Sequence, residues 1–350
     1  MKKLSSTNPL GRTGIHIPGI IYGTSYLGNL FRILTEEEKL SIVKKWFECT
    51  EKPVVIDTAG KYGAGLALEM IGKLLEKEGI NSSDVIISNK LGWYQVPLTT
   101  SEPGFEPGVW AGINHDAIQK ISYRGILECW EQGSRLLGTK YRADLLSVHD
   151  PDEYLNSAKN PDERKEKFND ILEAYRALFE LKEKGEIKAV GIGSKDWLVI
   201  RELTNHLDFD WVMFANKFTL FHHPKEIVNF MDNLKTKGTG IINSAVFNAG
   251  FLTGGNFFDY VKLDPADPEN KKLFDWRAGF FEICERYKIN PSDACIQFGL
   301  SHPAICSLAL NTSRPEQMTK NVEAIMANLP SEFWAALKAA KIIDPDYKYL

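Results

Sequence analysis

With 350 residues, 43% of them hydrophobic and 25% charged, and a net charge of −4, the chain has the make-up of an ordinary globular protein and lacks the basic balance of a nucleic-acid binder. No apolar run reaches the roughly 18 residues of a membrane span, and the opening MKKLSSTNPLGRTG has no apolar core of the kind a secretory signal needs. Cys49, Cys129, Cys284, Cys295 and Cys306 are odd in number and show no CxxC spacing, so reduced thiols in a cytoplasmic protein are expected, with no nucleic-acid or membrane partner.

In chain order, PGIIYGT (18–24) reads as a strand. Thr35 and Glu38 form a capping-box pair before an amphipathic helix. PVVIDTA is a strand, LALEMIGKLLEKEG a helix stopped by Gly79, and DVIISNK a strand. A long irregular stretch, 92–115, precedes a helix predicted over DAIQKISYRGILECWEQGSRLLG. ADLLSVH is a strand and FNDILEAYRALFELKEKG a helix ended by Gly185, with KNPDERKEK as a solvated loop and first helical turn. IKAVGIG, WVMFAN, GTGIINSA and ICSLALN supply the remaining strands, and RPEQMTKNVEAIMA a last core helix. Most strands are apolar on both parities, as in a parallel sheet covered on both faces. About eight βα units in one chain predict a closed (β/α)₈ TIM barrel, an α/β fold in a single domain over residues 1–350.

In such a barrel, chemistry sits where strands meet their following loops. Three successive strands end in an ionisable residue: Asp57, Lys90 and His149. Any one alone reads as the solvated margin of a strand or a hydrogen-bonded structural group, but three in succession converge on one rim. Tyr62 joins them if the loop after Asp57 turns sharply, because five extended steps would carry it about 16 Å away. Ala59, Gly60 and Gly63 permit that turn. A phenol titrates near 10, and an adjacent ammonium favours its ionised form. The aspartate holds the lysine charged, and the imidazole can donate to a substrate oxygen where negative charge develops. The set moves protons on an alcohol or carbonyl, with no metal-ligand cluster and no acyl-transfer nucleophile beside it. The missing partner is a hydride carrier.

DTAGKYG, SNKLG, ADLLSVHDPD and AVGIG, in that order, resemble the aldo-keto reductase superfamily over roughly residues 9–327. NPLGRTG resembles the family's segment below the barrel. HDPDEY, GIGSKDW and SAVFNAGFLTGG are similar to the aldose 1-dehydrogenase branch (L-fucose, D-threo-aldose and L-galactose dehydrogenases), with pyridoxal 4-dehydrogenases nearby. The resemblance implies Tyr62 as general acid/base, Lys90 and Asp57 tuning it, and His149 orienting the substrate oxygen. It also implies NAD or NADP as cofactor and a small molecule, a sugar, as substrate; it does not give the oligomeric state.

Gly193 and Ser194 fall where relatives contact the carboxamide, the usual Asn there being Ser194 or Lys195 by alignment. Asn216 and Lys217 stand where many reductases have Asn-Gln. The residue that stacks on nicotinamide falls near Asn243, which cannot stack, leaving Phe247 as its candidate substitute. Ser244 and the backbone from Phe247 through Gly250 to Leu252 resemble the pyrophosphate loop. Asn311, Ser313, Arg314, Gln317 and Asn321 lie in the segment resembling the adenosine site, where Ser313 and Glu316 are expected to cap a helix with Pro315 in its first turn. Gln317 stands where NADP-dependent members carry Arg, which leans the balance to NAD although Arg314 could serve.

The 92–115 rim loop carries Trp93, Tyr94, Phe105 and Trp110, aromatic faces suited to a sugar or flat ring. His222 and His223 read as loop residues rather than ligands. The competing readings are a general aldehyde, ketone or pyridoxal oxidoreductase on the same scaffold, and a cofactor-binding regulatory subunit.

Overall fold

A computed structural model describes residues 3–259 and 261–350. Met1 and Lys2, the start of the N-terminal segment read above, lie outside the described residues. Eight strands close into a barrel: β1 Ile20–Gly23, β2 Val54–Ala59, β3 Val85–Leu91, β4 Leu145–His149, β5 Ala189–Ser194, β6 Trp211–Ala215, β7 Gly240–Ser244 and β8 Ile305–Leu310. Every neighbouring pair is parallel, and β8 returns to β1. Parallel pairing requires a crossover after each strand, which is why helices alternate with strands and why both strand faces are apolar.

Two apolar layers hold the barrel. Outward-facing Val54, Ile56, Ile87, Leu146, Val190 and Val212 are buried under the helices. Inward-facing Ile21, Val55, Ile86, Leu145, Ala189, Trp211, Met213 and Ile242 fill the interior. The N-terminal hairpin, Thr7–Pro9 with His16–Pro18, delivers fully buried Leu10 and Ile17 into the same interior cluster, so it forms the plug below the barrel. With that end closed by apolar packing, the polar strand ends gather at the other.

Several local expectations hold. Thr35 and Glu38 make the reciprocal capping box of Glu36–Cys49, and all five cysteines are free and buried. One element differs. Residues 116–119, expected to open a helix, lie instead in the strand His115–Gln119, paired antiparallel with Trp93–Pro97, and the helix begins only at Tyr123, where Ser122 accepts from the Gly125 N–H. The reason is a set of long-range bonds. The Asp116 carboxylate accepts from the backbone of Gly104 and Ala117, each at 2.8 Å. The Gln132 side chain both accepts from and donates to the backbone of Gln95, at 2.7 and 2.9 Å. The rim loop is therefore a hairpin whose two short strands brace a stretch that is irregular over 98–114. Phe105, Trp110, Ile113, Ala117 and Ala64 form a small apolar cluster of their own beneath it.

Among the described residues no helix is long and apolar enough to cross a membrane.

Candidate active site

Asp57, Lys90 and His149 stand on β2, β3 and β4 at one mouth of the barrel, and all three are buried. The Lys90 ammonium donates to Asp57 Oδ2, and Ser88 Oγ donates to Asp57 Oδ1 at 3.2 Å. Burial alone would depress the lysine, but Asp57 first and then Tyr62 overcome it and raise its pKa above the ordinary range, so the ammonium stays charged.

Tyr62 returns over the mouth through two tight turns, its N–H donating to Ala59 O at 3.1 Å and its carbonyl accepting from Ala67 N at 3.2 Å. Gly63 takes the left-handed φ of +62°, and Gly28 lies so close that a methyl on it would stand 2.7 Å from the Tyr62 carbonyl carbon. The tyrosine is thus clamped against the turn that follows β1. Lys90 Nζ lies 4.9 Å from the Tyr62 ring centroid, and the His149 ring meets that ring edge-on at 5.7 Å and 84°. Four residues distant in sequence form one contiguous group.

Its electrostatics refine the expectation drawn from residue types. Burial raises the Tyr62 phenol above its ordinary 10, and Lys90 opposes this without overcoming it. Burial, then Lys90, Lys61 and Lys195, hold His149 well below its ordinary 6.5, so the imidazole is neutral. Its Nδ1 has no hydrogen-bond partner among the described residues, while Nε2 lies 3.6 Å from Asp150 Oδ2.

The sequence matches the Aldo/keto reductase family model over residues 19–342. The chain belongs to that family. It is 28% identical to a D-threo-aldose 1-dehydrogenase from a Pseudomonas species and 26% identical to a pyridoxal 4-dehydrogenase from Microbacterium luteolum, each alignment covering 97% of this chain and 99% of the relative. A holo-form aldo-keto reductase from Bacillus halodurans superposes with a TM-score of 0.69 at 21% identity, over 97% of this chain and 96% of that one. This aldo-keto reductase is accordingly an NAD(P)-dependent oxidoreductase, and the resemblance to the aldose dehydrogenase branch holds.

The surface around β5 to β8 fits a nicotinamide dinucleotide. Gly193 lies directly beside the buried Lys90 stem, a methyl there standing 3.8 Å from Lys90 Cδ. Asn216 is buried with a left-handed φ of +59° and an Oδ1 that has no partner among the described residues, a polar atom that a bound carboxamide would satisfy. Ala245, Asn248, Ala249 and Gly250 all have positive φ, and the loop is folded back on itself, the N–H groups of Asn248, Gly250 and Leu252 donating to the carbonyls of Ala245, Phe247 and Phe247. Ser244 Oγ donates to Phe214 O at 2.8 Å, Phe247 is half-buried, and Leu252 is fully buried beneath that loop.

Two details differ from expectation. The Ser194 hydroxyl donates to Asp152 at 2.7 Å and accepts from the Asp196 N–H, so it is already engaged. Ser313 does not cap the helix Pro315–Met326; the cap position is Arg314, with no side-chain cap. Pro315 forces the residue before it into extended backbone, which moves the boundary onto Arg314. In that first turn Pro315 has no N–H and the Gln317 N–H donates to Arg314 O at 3.0 Å, so no side chain is needed to cap it. Arg314 and Asn311 are exposed there, and Gln317 donates to Asn321 at 3.1 Å.

Of the rim aromatics, Trp110 packs on Tyr62 at 5.8 Å, and Trp93 reaches it through Phe105. Tyr94 faces the other side of the hairpin, with Lys120 Nζ 4.0 Å from its ring. Both His223 ring nitrogens are engaged, with Thr219 O and Asp344 N, as a structural loop residue's would be.

A charged group stands beside His149 in addition to the residues expected there. Lys61 pairs with Glu106 and Glu153, each at 2.8 Å, and lies 3.8 Å from Asp150, while Lys195 pairs with Glu153 at 2.7 Å. The signal was present, since Lys61, Asp150 and Glu153 all fall inside the quoted motifs.

Two outcomes follow from this packing. Gly28→Ala is expected to displace Tyr62 and lower kcat/KM by on the order of 100-fold, with a much smaller effect on the melting temperature; full activity in a folded variant contradicts the clamp. The second concerns acid. Because His149 in the folded protein stays neutral below 6.5, the unfolded chain binds a proton there that the folded state does not. Stability therefore falls as pH drops below 6.5, with His222, His223 and His302 contributing in the same direction. His149→Gln should remove up to about 1.4 kcal/mol per pH unit of that slope. Urea midpoints on either side of the histidine range measure it, and an unchanged slope contradicts a neutral, buried His149.

Proposed function

We propose that this oxidoreductase oxidises C1 of a cyclic aldose such as L-fucose, D-arabinose or L-galactose to the lactone, with Tyr62 as general acid/base. The observation that carries the reading is Lys90, bonded to Asp57 and lying over the Tyr62 ring, with His149 edge-on to the same ring. The nicotinamide cofactor, held by Gly193, Asn216, Ser244, the 247–252 loop and the 311–321 segment, supplies the hydride acceptor when bound.

The protein's own part is proton transfer and positioning. Neutral His149 donates a hydrogen bond to the C1 oxygen and fixes it near the phenol. Tyr62 takes the hydroxyl proton, and the Lys90 ammonium stabilises the charge as phenolate forms. Asp57 keeps that ammonium in place. Because the phenol starts above 10, oxidation should quicken with rising pH, while the protonated phenol is ready to donate in the reverse reaction. Trp110 offers a sugar's apolar face a flat wall, and the nearly buried Asp150 carboxylate offers an acceptor for neighbouring hydroxyls. NAD is the proposed nucleotide, since Gln317 cannot pair a 2′-phosphate as an arginine would.

A second reading, oxidation of pyridoxal or another aldehyde-bearing ring, is favoured by the aromatic wall and by the pyridoxal 4-dehydrogenase relative. A panel of the three aldoses and pyridoxal, each with NAD and with NADP, separates the two readings. Reduction of cofactor by an aldose supports the first. Turnover of pyridoxal alone supports the second, and reaction only of aldehydes with reduced cofactor defeats the dehydrogenase proposal.

A further inference from the structure

Lys61 precedes Tyr62 in the chain, yet it is only 3% exposed. Burial of an ammonium is costly unless it is paired, and this one is paired with Glu106 of the rim hairpin and Glu153 of the helix Pro151–Asn156. Burial alone would depress its pKa, but Asp150, Glu106 and Glu153 overcome this and keep it charged.

Following the Glu106 arm leads back to the start. Lys61 Nζ meets Glu106 Oε1 at 2.8 Å, and Trp110 Nε1 donates to Glu106 Oε2 at 2.8 Å. The Trp110 ring then packs on Tyr62, tilted 35° at 5.8 Å. The four residues close a ring of contacts: Tyr62, Lys61, Glu106, Trp110 and Tyr62 again. Glu106 holds its place with a left-handed φ of +44°, a form unfavourable for a residue with an ordinary side chain. That backbone persists because what surrounds it fixes it, and such positions cluster at functional sites.

We propose that Lys61 and Glu106 are positioning residues that latch the rim hairpin to the barrel and seat Trp110 against Tyr62, so that the substrate wall is formed before substrate arrives. The proposal rests on the reading of Tyr62 as the acid/base. A wall already in place spares the substrate the ordering of the loop, so its loss is felt in KM more than in kcat.

The decisive variant is Glu106→Asn. Asn tolerates left-handed backbone better than Glu, so strain is relieved, and Lys61 keeps Glu153 and Asp150, but the shorter side chain cannot bridge Lys61 to Trp110. Thermal stability should hold or rise. KM for whichever panel compound the wild type turns over should rise roughly 10- to 100-fold, with kcat changed much less, and Glu106→Gln should recover part of the loss. In a Trp110→Phe background, which has no indole N–H to hold, Glu106→Asn should add little further. Amide hydrogen exchange over residues 104–112 should quicken whether or not a substrate is known. Unchanged KM and unchanged exchange overturn the latch in an active enzyme, as does an additive effect in the double variant. Failure of the functional reading shows separately, as wild-type protein that oxidises none of the panel.

Discussion

Replacing Tyr62 by Phe is expected to lower turnover by on the order of 10²- to 10⁴-fold, the usual range for losing a positioned acid or base. Cofactor affinity should stay nearly intact. The substitution removes one oxygen and leaves the ring that packs on Trp110 and His149, so the wall and the barrel mouth keep their shape. Stability at neutral pH should change little, because the phenol, held above its ordinary 10, is uncharged in the folded and the unfolded chain alike. Single-turnover rates, together with a fluorescence titration of the cofactor, separate chemistry from binding. An unaffected rate removes Tyr62 from the mechanism. Lost cofactor binding assigns it a structural task instead.

Lys90→Met should be severe in two respects at once. The substitution leaves Asp57 as a buried carboxylate whose remaining side-chain partner is the Ser88 hydroxyl. Removing one partner of a buried pair costs about 3–5 kcal/mol, which a urea melt will register. The paired variant Asp57→Asn with Lys90→Met should recover much of that stability without recovering activity. Turnover falls because the phenol loses the charge that opposes burial, and its pKa moves further up. The rise of the oxidation rate with pH should therefore shift to still higher pH in Lys90→Met. A pH profile unchanged in shape contradicts the tuning role, even if the rate is low.

Much of this architecture was legible in the sequence because barrel strands are written locally. Apolar runs on both parities, followed by capped helices, need only nearest-neighbour information, and Asp57, Lys90 and His149 are read as the ends of those runs. Tyr62 was legible through the small residues around it, although its clamp against Gly28 depends on a contact made only when β1 and β2 lie side by side. The hairpin at 93–119 was not legible. Its strands are held by Asp116 and Gln132, whose partners lie far along the chain, and residues 115–119 carry no local sign of preferring extended backbone to helix. The boundary at Arg314 was missed for a smaller reason: Ser313 with Glu316 has capping spacing, but Pro315 dictates the conformation of the residue before it. Lys61 stood in plain view, yet a lysine in a glycine-rich turn reads as solvated until its three carboxylates are seen around it.

The charged group at the mouth also bears on how the site chooses its substrate. A neutral His149 flanked by Lys90, Lys61 and Lys195 favours a ligand that brings an oxygen acquiring negative charge. Asp150 has φ +44°, and burial raises its carboxyl to about 6. Its carboxylate lies 3.6 to 3.8 Å from His149, Lys195 and Lys61, just beyond hydrogen-bond length from each. Hydroxyl groups on a sugar are suited to complete such a partly satisfied acceptor.

Direct hydride loss from C1 of an aldose leaves an isotopic trace on the cofactor. L-fucose, D-arabinose and L-galactose carrying deuterium at C1 should each be incubated with the protein and NAD or NADP, and the reduced cofactor examined by mass spectrometry. At least one sugar should deliver its deuterium to the cofactor and yield the lactone, with transfer lost in Tyr62→Phe. Cofactor that stays unlabelled with all three sugars, while pyridoxal or a simple aldehyde turns over in the same preparation, would contradict it.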